Sequence, residues 1–268
     1  MKITDSVIVV TGAGSGIGAE LSRRFVAEGA RAVVLVDRNA DAVEAVAGQL
    51  GERARAAVLD VTDEAAVIAL VQAVLAEHGR IDLFCSNAGI STGVGLAGGP
   101  PADAAWQRTW QVHVLAHVYA ARAVVPAMIE AGGGYLLNTA SAAGLLGSPG
   151  DAPYSVTKHA AVAFGEWLAY QYRDRNIRVS MLCPMGVDTP MLMDGVRAGH
   201  PAAKAVAASA DVIGVTEVAD AVIEGVRAET FLILPHPEVG KFWTKKAADV
   251  DRWLDGMAEL ASAAGTTG

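Results

Sequence analysis

The chain has 268 residues, 52% of them hydrophobic and 19% charged, with a net charge of −8. This composition excludes disorder, and the acidic balance excludes a basic nucleic-acid surface. No uninterrupted apolar stretch reaches bilayer length, so no membrane span is expected, and the short apolar run after Lys2 reads as a strand rather than a signal peptide.

The length admits one large α/β domain or two small ones. Val7-Ile8-Val9-Val10-Thr11 is a continuous apolar run of the kind a strand buried on both faces requires. A turn crowded with glycine follows, then a helix over Ala19 to Ala27. Ala32 to Val36 is a second strand ending at Asp37, Asp41 to Leu50 a helix, and Ala56 to Leu59 a third strand ending at Asp60. Thr62 is the expected N-cap of a helix that runs to His78 and stops at Gly79. Ile81 to Cys85 is strand four and leads into Ser86-Asn87-Ala88-Gly89. A loop from Ser91 to Pro101 precedes a long helix, Trp106 to Ala131, closed by Gly132-Gly133-Gly134. Tyr135 to Thr139, Ile177 to Cys183 and Phe231 to Leu234 read as strands five to seven, with helices at Tyr154 to Arg173 and Thr216 to Arg227. Met191 to Gly214 carries no clear pattern, and Trp243 to Ala264 reads as one amphipathic helix. There is no repeat and no linker, so the expected fold is α/β: a single domain over 1–268, a doubly wound parallel sheet of about seven strands. Cys85 and Cys183 sit in strand-like runs and are read as core packing, in keeping with a reducing, cytoplasmic compartment.

Strand, glycine turn and helix together make a place for a phosphorylated ligand. Backbone N–H groups emerge at the helix start, and glycine lets the backbone approach. The pattern here is Gly12-x3-Gly16-x-Gly18, with Ser15 and Ile17 between, and not the strict G-x-G-x-x-G. A dinucleotide needs an acidic residue about 20 residues further on, at the end of the second strand, for its ribose hydroxyls. Asp37 stands there, and its carboxylate repels a 2′-phosphate, which favours NAD over NADP; Arg38 beside it is the residue that would accept that phosphate. Asp60-Val61 closes strand three where adenine would lie, and Asn87-Ala88-Gly89 closes strand four beside the ribose.

Tyr154 and Lys158 fall on one helix face a turn apart. A cation beside a phenol favours phenolate and brings tyrosine into range for general acid–base work. Ser141 ends strand five, where its hydroxyl can meet a substrate oxygen. His113 and His117 share helical spacing that a metal can use, but no third ligand is evident and no metal is expected.

These pieces resemble the short-chain dehydrogenase/reductase family. The match rests on Thr11 to Gly18, Asp60-Val61, Asn87-Ala88-Gly89, Ser141, Tyr154-x3-Lys158 and Pro184-x2-Val187-x-Thr189, in family order over residues 5 to 235. The resemblance implies that Tyr154 exchanges the proton with substrate, Lys158 lowers the tyrosine pKa and binds the nicotinamide ribose, and Ser141 polarises the substrate oxygen. It implies that Val187 and Thr189 hold the carboxamide, beside Pro184, with Met185 where the family has glycine. It also implies a homotetramer or homodimer built partly on the helix after Tyr154. The family's helical asparagine is replaced by His113. Its backbone carbonyl can still serve a proton relay, and an imidazole near neutral pKa would add a pH dependence of its own; the alternative is a tolerated or impairing change.

The expected function is therefore NAD-dependent interconversion of a secondary alcohol and a ketone. Its competitor is a dinucleotide-binding sensor or scaffold with little turnover, raised by His113. Substrate choice is expected in the variable segment at 190–214 and the loop at 91–101. Met191, Leu192, Met193 and Val196, with no cation close to Thr189, favour an uncharged hydrophobic alcohol.

Overall fold

The structure, a computed structural model, describes residues 1–93 and 100–266. Its elements are β1 (Val7–Thr11), α1 (Gly16–Ala27), β2 (Ala32–Asp37), α2 (Ala40–Leu50), β3 (Ala54–Val58), α3 (Glu64–His78), β4 (Leu83–Ser86), α4 (Pro100–Trp110), α5 (Ala116–Glu130) and β5 (Gly134–Thr139). Then come α6 (Ala143–Leu146), α7 (Ala152–Gln171), β6 (Ile177–Leu182), α8 (Pro190–Arg197), α9 (Pro201–Ser209), α10 (Val215–Ala228), β7 (Leu232–Ile233), α11 (Glu238–Ala248) and α12 (Val250–Ala263).

The strands form one seven-stranded sheet in the order β3-β2-β1-β4-β5-β6-β7, every neighbouring pair parallel. The order reverses between β1 and β4, and a crevice opens there at the carboxyl ends of the strands. Alternating side chains serve the two faces. Ile8, Val10, Val33 and Leu35 pack with Leu21 and Phe25 of α1 and with Val218 and Val222 of α10. Val7, Val9, Val34 and Val36 pack with Val71 of α3 and Val124 and Met128 of α5. Burial on both faces is why these strands read as unbroken apolar runs. Cys85 and Cys183 are fully buried.

Several boundaries differ from the sequence expectation. Asp63, not Thr62, caps α3, its carboxylate accepting from the Ala66 N–H at 3.1 Å, because Thr62 is engaged by Asp60. The long helix is interrupted by a π turn at Gln111–Leu115, where the Ala116 N–H reaches back to the Gln111 carbonyl. The stretch Ala102–Glu130 is long and apolar enough to cross a membrane, but its apolar face is spent on the sheet through Ala120, Val124 and Val125. The patternless stretch after Thr189 forms α8 and α9, and the C-terminal helix is two, because extended Asp249 ends α11 and caps α12. Of the loop expected at Ser91 to Pro101, residues 94–99 lie outside the described residues.

Candidate active site

The turn after β1 is shaped by its glycines. Gly12 and Gly16 hold left-handed backbone (φ 66° and 52°), and a Cβ on Gly12 would sit 2.8 Å from the Ala88 Cα. Gly18 does not face the crevice; a Cβ there would lie 2.2 Å from the Gly12 carbonyl oxygen, so its part is to let α1 pack against the turn. Ser15 starts α1, but its hydroxyl makes no capping bond. The result is a helix N-terminus with unblocked N–H groups at the crevice floor, a cradle that suits a pyrophosphate.

Around this floor the strand ends are tied together. Asp37 accepts from the Gly14 N–H at 3.0 Å and from the Asn39 N–H at 3.0 Å, which fixes the carboxylate beside the turn; Arg38 lines the crevice next to it. Asp60 accepts from Thr62 and from the Arg108 guanidinium at 2.7 Å. Burial pushes the Asp60 carboxyl upward, but Arg108 and Thr62 prevail and hold it at about 2. Arg108, on α4, escaped the sequence reading because nothing in a helical arginine marks its distant partner. Asn87 donates to the Thr11 carbonyl at 3.0 Å and accepts from the Thr139 hydroxyl at 3.1 Å, joining the ends of β1, β4 and β5. Val61, Ala88 and Gly89 line the same wall.

The chemical residues converge on the opposite wall. Ser141 follows β5, its hydroxyl accepting from the Ala143 N–H at 3.1 Å and directed to the Pro184 carbonyl. Tyr154 sits in the first turn of α7, which Asp151 caps by accepting from the Tyr154 N–H at 3.0 Å. Lys158, a turn on, is buried, with Nζ 5.6 Å from the Tyr154 ring centre and donating to the Thr139 carbonyl at 2.9 Å. Burial lowers Lys158 to about 8. The Tyr154 phenol is raised, chiefly by burial, while Ser141 beside it pulls the other way. The lowering of the phenol expected from Lys158 is not what the protein shows: burial, with Asp151 and Cys183, raises it, and the opposing pull comes from Ser141.

His113 departs furthest from expectation. It is fully buried behind Tyr154, ring centres 5.4 Å apart and edge to face, and does not line the crevice. Its Nε2 accepts from the Ile90 N–H at 3.0 Å and its Nδ1 meets the Thr157 hydroxyl at 2.9 Å. Burial, and then the Lys158 charge, hold its pKa well below 6.5, so the imidazole does not titrate near neutrality as its type suggested. The π turn that carries it preserves a break in the helix.

Pro184, Val187 and Thr189 line the crevice beyond β6, Thr189 capping α8 through its hydroxyl. The whole cavity is about 990 Å³. Its outer half is walled by Leu146, Met185 and Phe242 and by Trp253, Met257 and Leu260 of α12. That last contribution was missed, since an amphipathic C-terminal helix reads equally well as a surface element.

The model of the short chain dehydrogenase family matches residues 6–198. The chain is 38% identical over 246 residues to 1-deoxy-11-beta-hydroxypentalenate dehydrogenase of Streptomyces avermitilis, covering 89% of this chain and 87% of that protein. It is 35% identical over 192 residues to meso-2,3-butanediol dehydrogenase of Serratia marcescens, 71% of this chain and 75% of that one. A short chain dehydrogenase/reductase from Burkholderia phymatum, solved in complex with NAD, is similar with a TM-score of 0.84 and 28% identity, over 94% of this chain and 96% of that one.

Proposed function

The chain belongs to the short-chain dehydrogenases, oxidoreductases of alcohols and ketones, and from that footing we propose that it interconverts a hydrophobic secondary alcohol and its ketone with NAD. The observation that carries this reading is the meeting of Ser141, Tyr154 and Lys158 on one wall of a cavity whose other end is closed by Asp37. The relatives are named for oxidising a hydroxypentalenate and a butanediol, both hydroxyl compounds, which supports the reaction class.

The nicotinamide supplies the hydride acceptor or donor when bound. The chain's own residues do the rest. The turn from Gly12 to Gly18 takes the pyrophosphate, Asp37 accepts hydrogen bonds from the adenosine ribose hydroxyls, and Val187 and Thr189 hold the carboxamide. Ser141 orients the substrate oxygen, and Tyr154 receives the hydroxyl proton in oxidation or returns it in reduction. Lys158 binds the nicotinamide ribose and favours the phenolate. Met185, Phe242 and Trp253 exclude water around an apolar substrate.

Assembly as a homotetramer or homodimer through α7 belongs to the same proposal. Val156, Trp167 and Tyr170 are exposed apolar side chains on one face of that helix, with Ala160 and Ala163 between them. The two buried thiols suit a cytoplasmic setting.

The test is NADH formation by purified protein with alicyclic, aromatic and terpenoid secondary alcohols, repeated with NADP. Turnover with NAD is expected, and Tyr154→Phe should lower it by about 10²- to 10⁴-fold while NAD still binds. Tight NAD binding with no turnover by the wild type would favour the sensor reading instead.

A further inference from the structure

The charged side chains that line the cavity, among the described residues, have assignable partners or places with one exception. Asp37 and Arg38 stand at the adenosine end. Asp60 and Arg108 neutralise each other at 2.7 Å. Asp151 caps α7, and Lys158 is held to the Thr139 carbonyl. That leaves Arg252.

Arg252 lies in the first turn of α12, beside the seam Trp253, Gly256, Met257 and Leu260 that this helix turns to the cavity. Asp249 and Asp255 lie three residues away on either side, yet the guanidinium forms no ion pair or hydrogen bond with the described residues. The Asp249 carboxylate instead accepts from the Arg252 backbone N–H at 3.0 Å, as a helix cap. Arg252 is thus an exposed, unpaired cation at the solvent side of an apolar wall, in a protein of net charge −8.

A planar guanidinium fork suits a carboxylate, and bonds of this kind are the stronger ones. One cation balances one charge, which fits a carboxylate better than a doubly charged phosphate. We propose that Arg252 receives the acid group of the substrate, so that the alcohol or ketone taken by this protein is a hydrophobic hydroxy acid or oxo acid. The carboxylate sits at the α12 wall, while the reacting carbon sits at Ser141 and Tyr154. This replaces the uncharged substrate expected from the segment after Thr189 with an anionic one, and it rests on the oxidoreductase reading above.

The experiment uses the full chain with NADH and methyl ketones that end in a carboxylate through alkyl chains of graded length, each paired with its methyl ester. At the chain length that spans the cavity, kcat/KM for the acid should exceed that of the ester by about tenfold, the effect of one charge-assisted hydrogen bond in a partly solvated site. Arg252→Gln should bring the ratio close to one, and Arg252→Lys should restore part of it. An ester as good as its acid at every length, or a ratio that survives Arg252→Gln, overturns the proposal. Failure to reduce any acid or ester, with NADH bound, instead overturns the oxidoreductase reading, and this inference falls with it.

Discussion

His113 donates from Nδ1 to the Thr157 hydroxyl at 2.9 Å, and the direction of that bond is fixed by its surroundings. Thr157 spends its own proton on the Pro153 carbonyl at 2.7 Å, and His113 Nε2 must accept from the Ile90 N–H. A neutral imidazole with one defined tautomer satisfies all of these groups. His113 thus bridges the segment after β4 to the helix that carries Tyr154 and Lys158, as a positioning residue rather than a titrating one.

The pH–rate profile should accordingly show no inflection near 6.5 that belongs to His113. Thr157→Val should lower kcat by about tenfold, the cost of a buried donor left unpaired, with the KM for NAD little changed. The double change with His113→Asn should cost less than the sum of the two. A histidine inflection present in the wild type and lost in His113→Asn would refute the neutral bridge.

His117 should set much of the protein's acid sensitivity. It is fully buried, its ring nitrogens have no partner among the described residues, and burial and then Lys158 lower it to about 3. Unfolding returns it towards 6.5, so between these values the unfolded chain binds a proton that the folded chain does not. Stability is therefore retained above about 6.5 and falls as the pH drops, by about 2 kcal/mol at a pH near 5. Denaturant melts at neutral and acid pH should show this slope reduced in His117→Leu, which also removes two unsatisfied polar atoms. An unchanged slope would refute it.

Asp37 should decide between the two nicotinamide cofactors. Asp37→Asn keeps an acceptor for the Gly14 N–H but removes the charge that opposes a 2′-phosphate. The ratio of kcat/KM for NAD over NADP should fall by about tenfold or more, corresponding to a hydrogen bond with a charged group. A wild type that already prefers NADP would move the assignment to Arg38.

Much of this site was legible because its parts are periodic or local. The apolar strands, the glycine turn and Tyr154 with Lys158 are fixed by spacing along a few residues, and each strand end carried its polar residue at the sheet edge. What was not legible depends on distant partners. The exception is local: Asp60, two residues before Thr62, accepts from its N–H and hydroxyl in a tight turn and leaves the cap to Asp63. Arg108 is marked by its bonds to Asp60 and the Thr62 hydroxyl, and Arg252 by the fold that brings α12 over the crevice. The type of residue at His113 suggested titration, but burial and Lys158 reverse that expectation, and both are properties of the packed protein.

The exposed face of α7 should hold subunits together. Trp167 and Tyr170 are 41% and 68% exposed, large values for such side chains on a helix whose other face is core. Light scattering should give a mass above the 27.6 kDa of one chain. Trp167→Glu with Tyr170→Glu should bring it down to that of a monomer. A monomeric wild type would rule out this interface.

Asp151 gives α7 and the neighbouring loop a common latch. The same carboxylate that starts α7 through the Tyr154 N–H also accepts from the Thr92 and Gly93 N–H groups, at 2.9 and 2.7 Å, and from the Ser91 and Thr92 hydroxyls. Releasing the loop and fraying the first turn of the helix are therefore one mechanical event. Residues 91–93 and the helical turn that carries Tyr154 are thus held, or loosened, together through one carboxylate. Amide exchange at Thr92, Gly93 and Tyr154 should quicken together in Asp151→Asn and slow together when the pocket is filled.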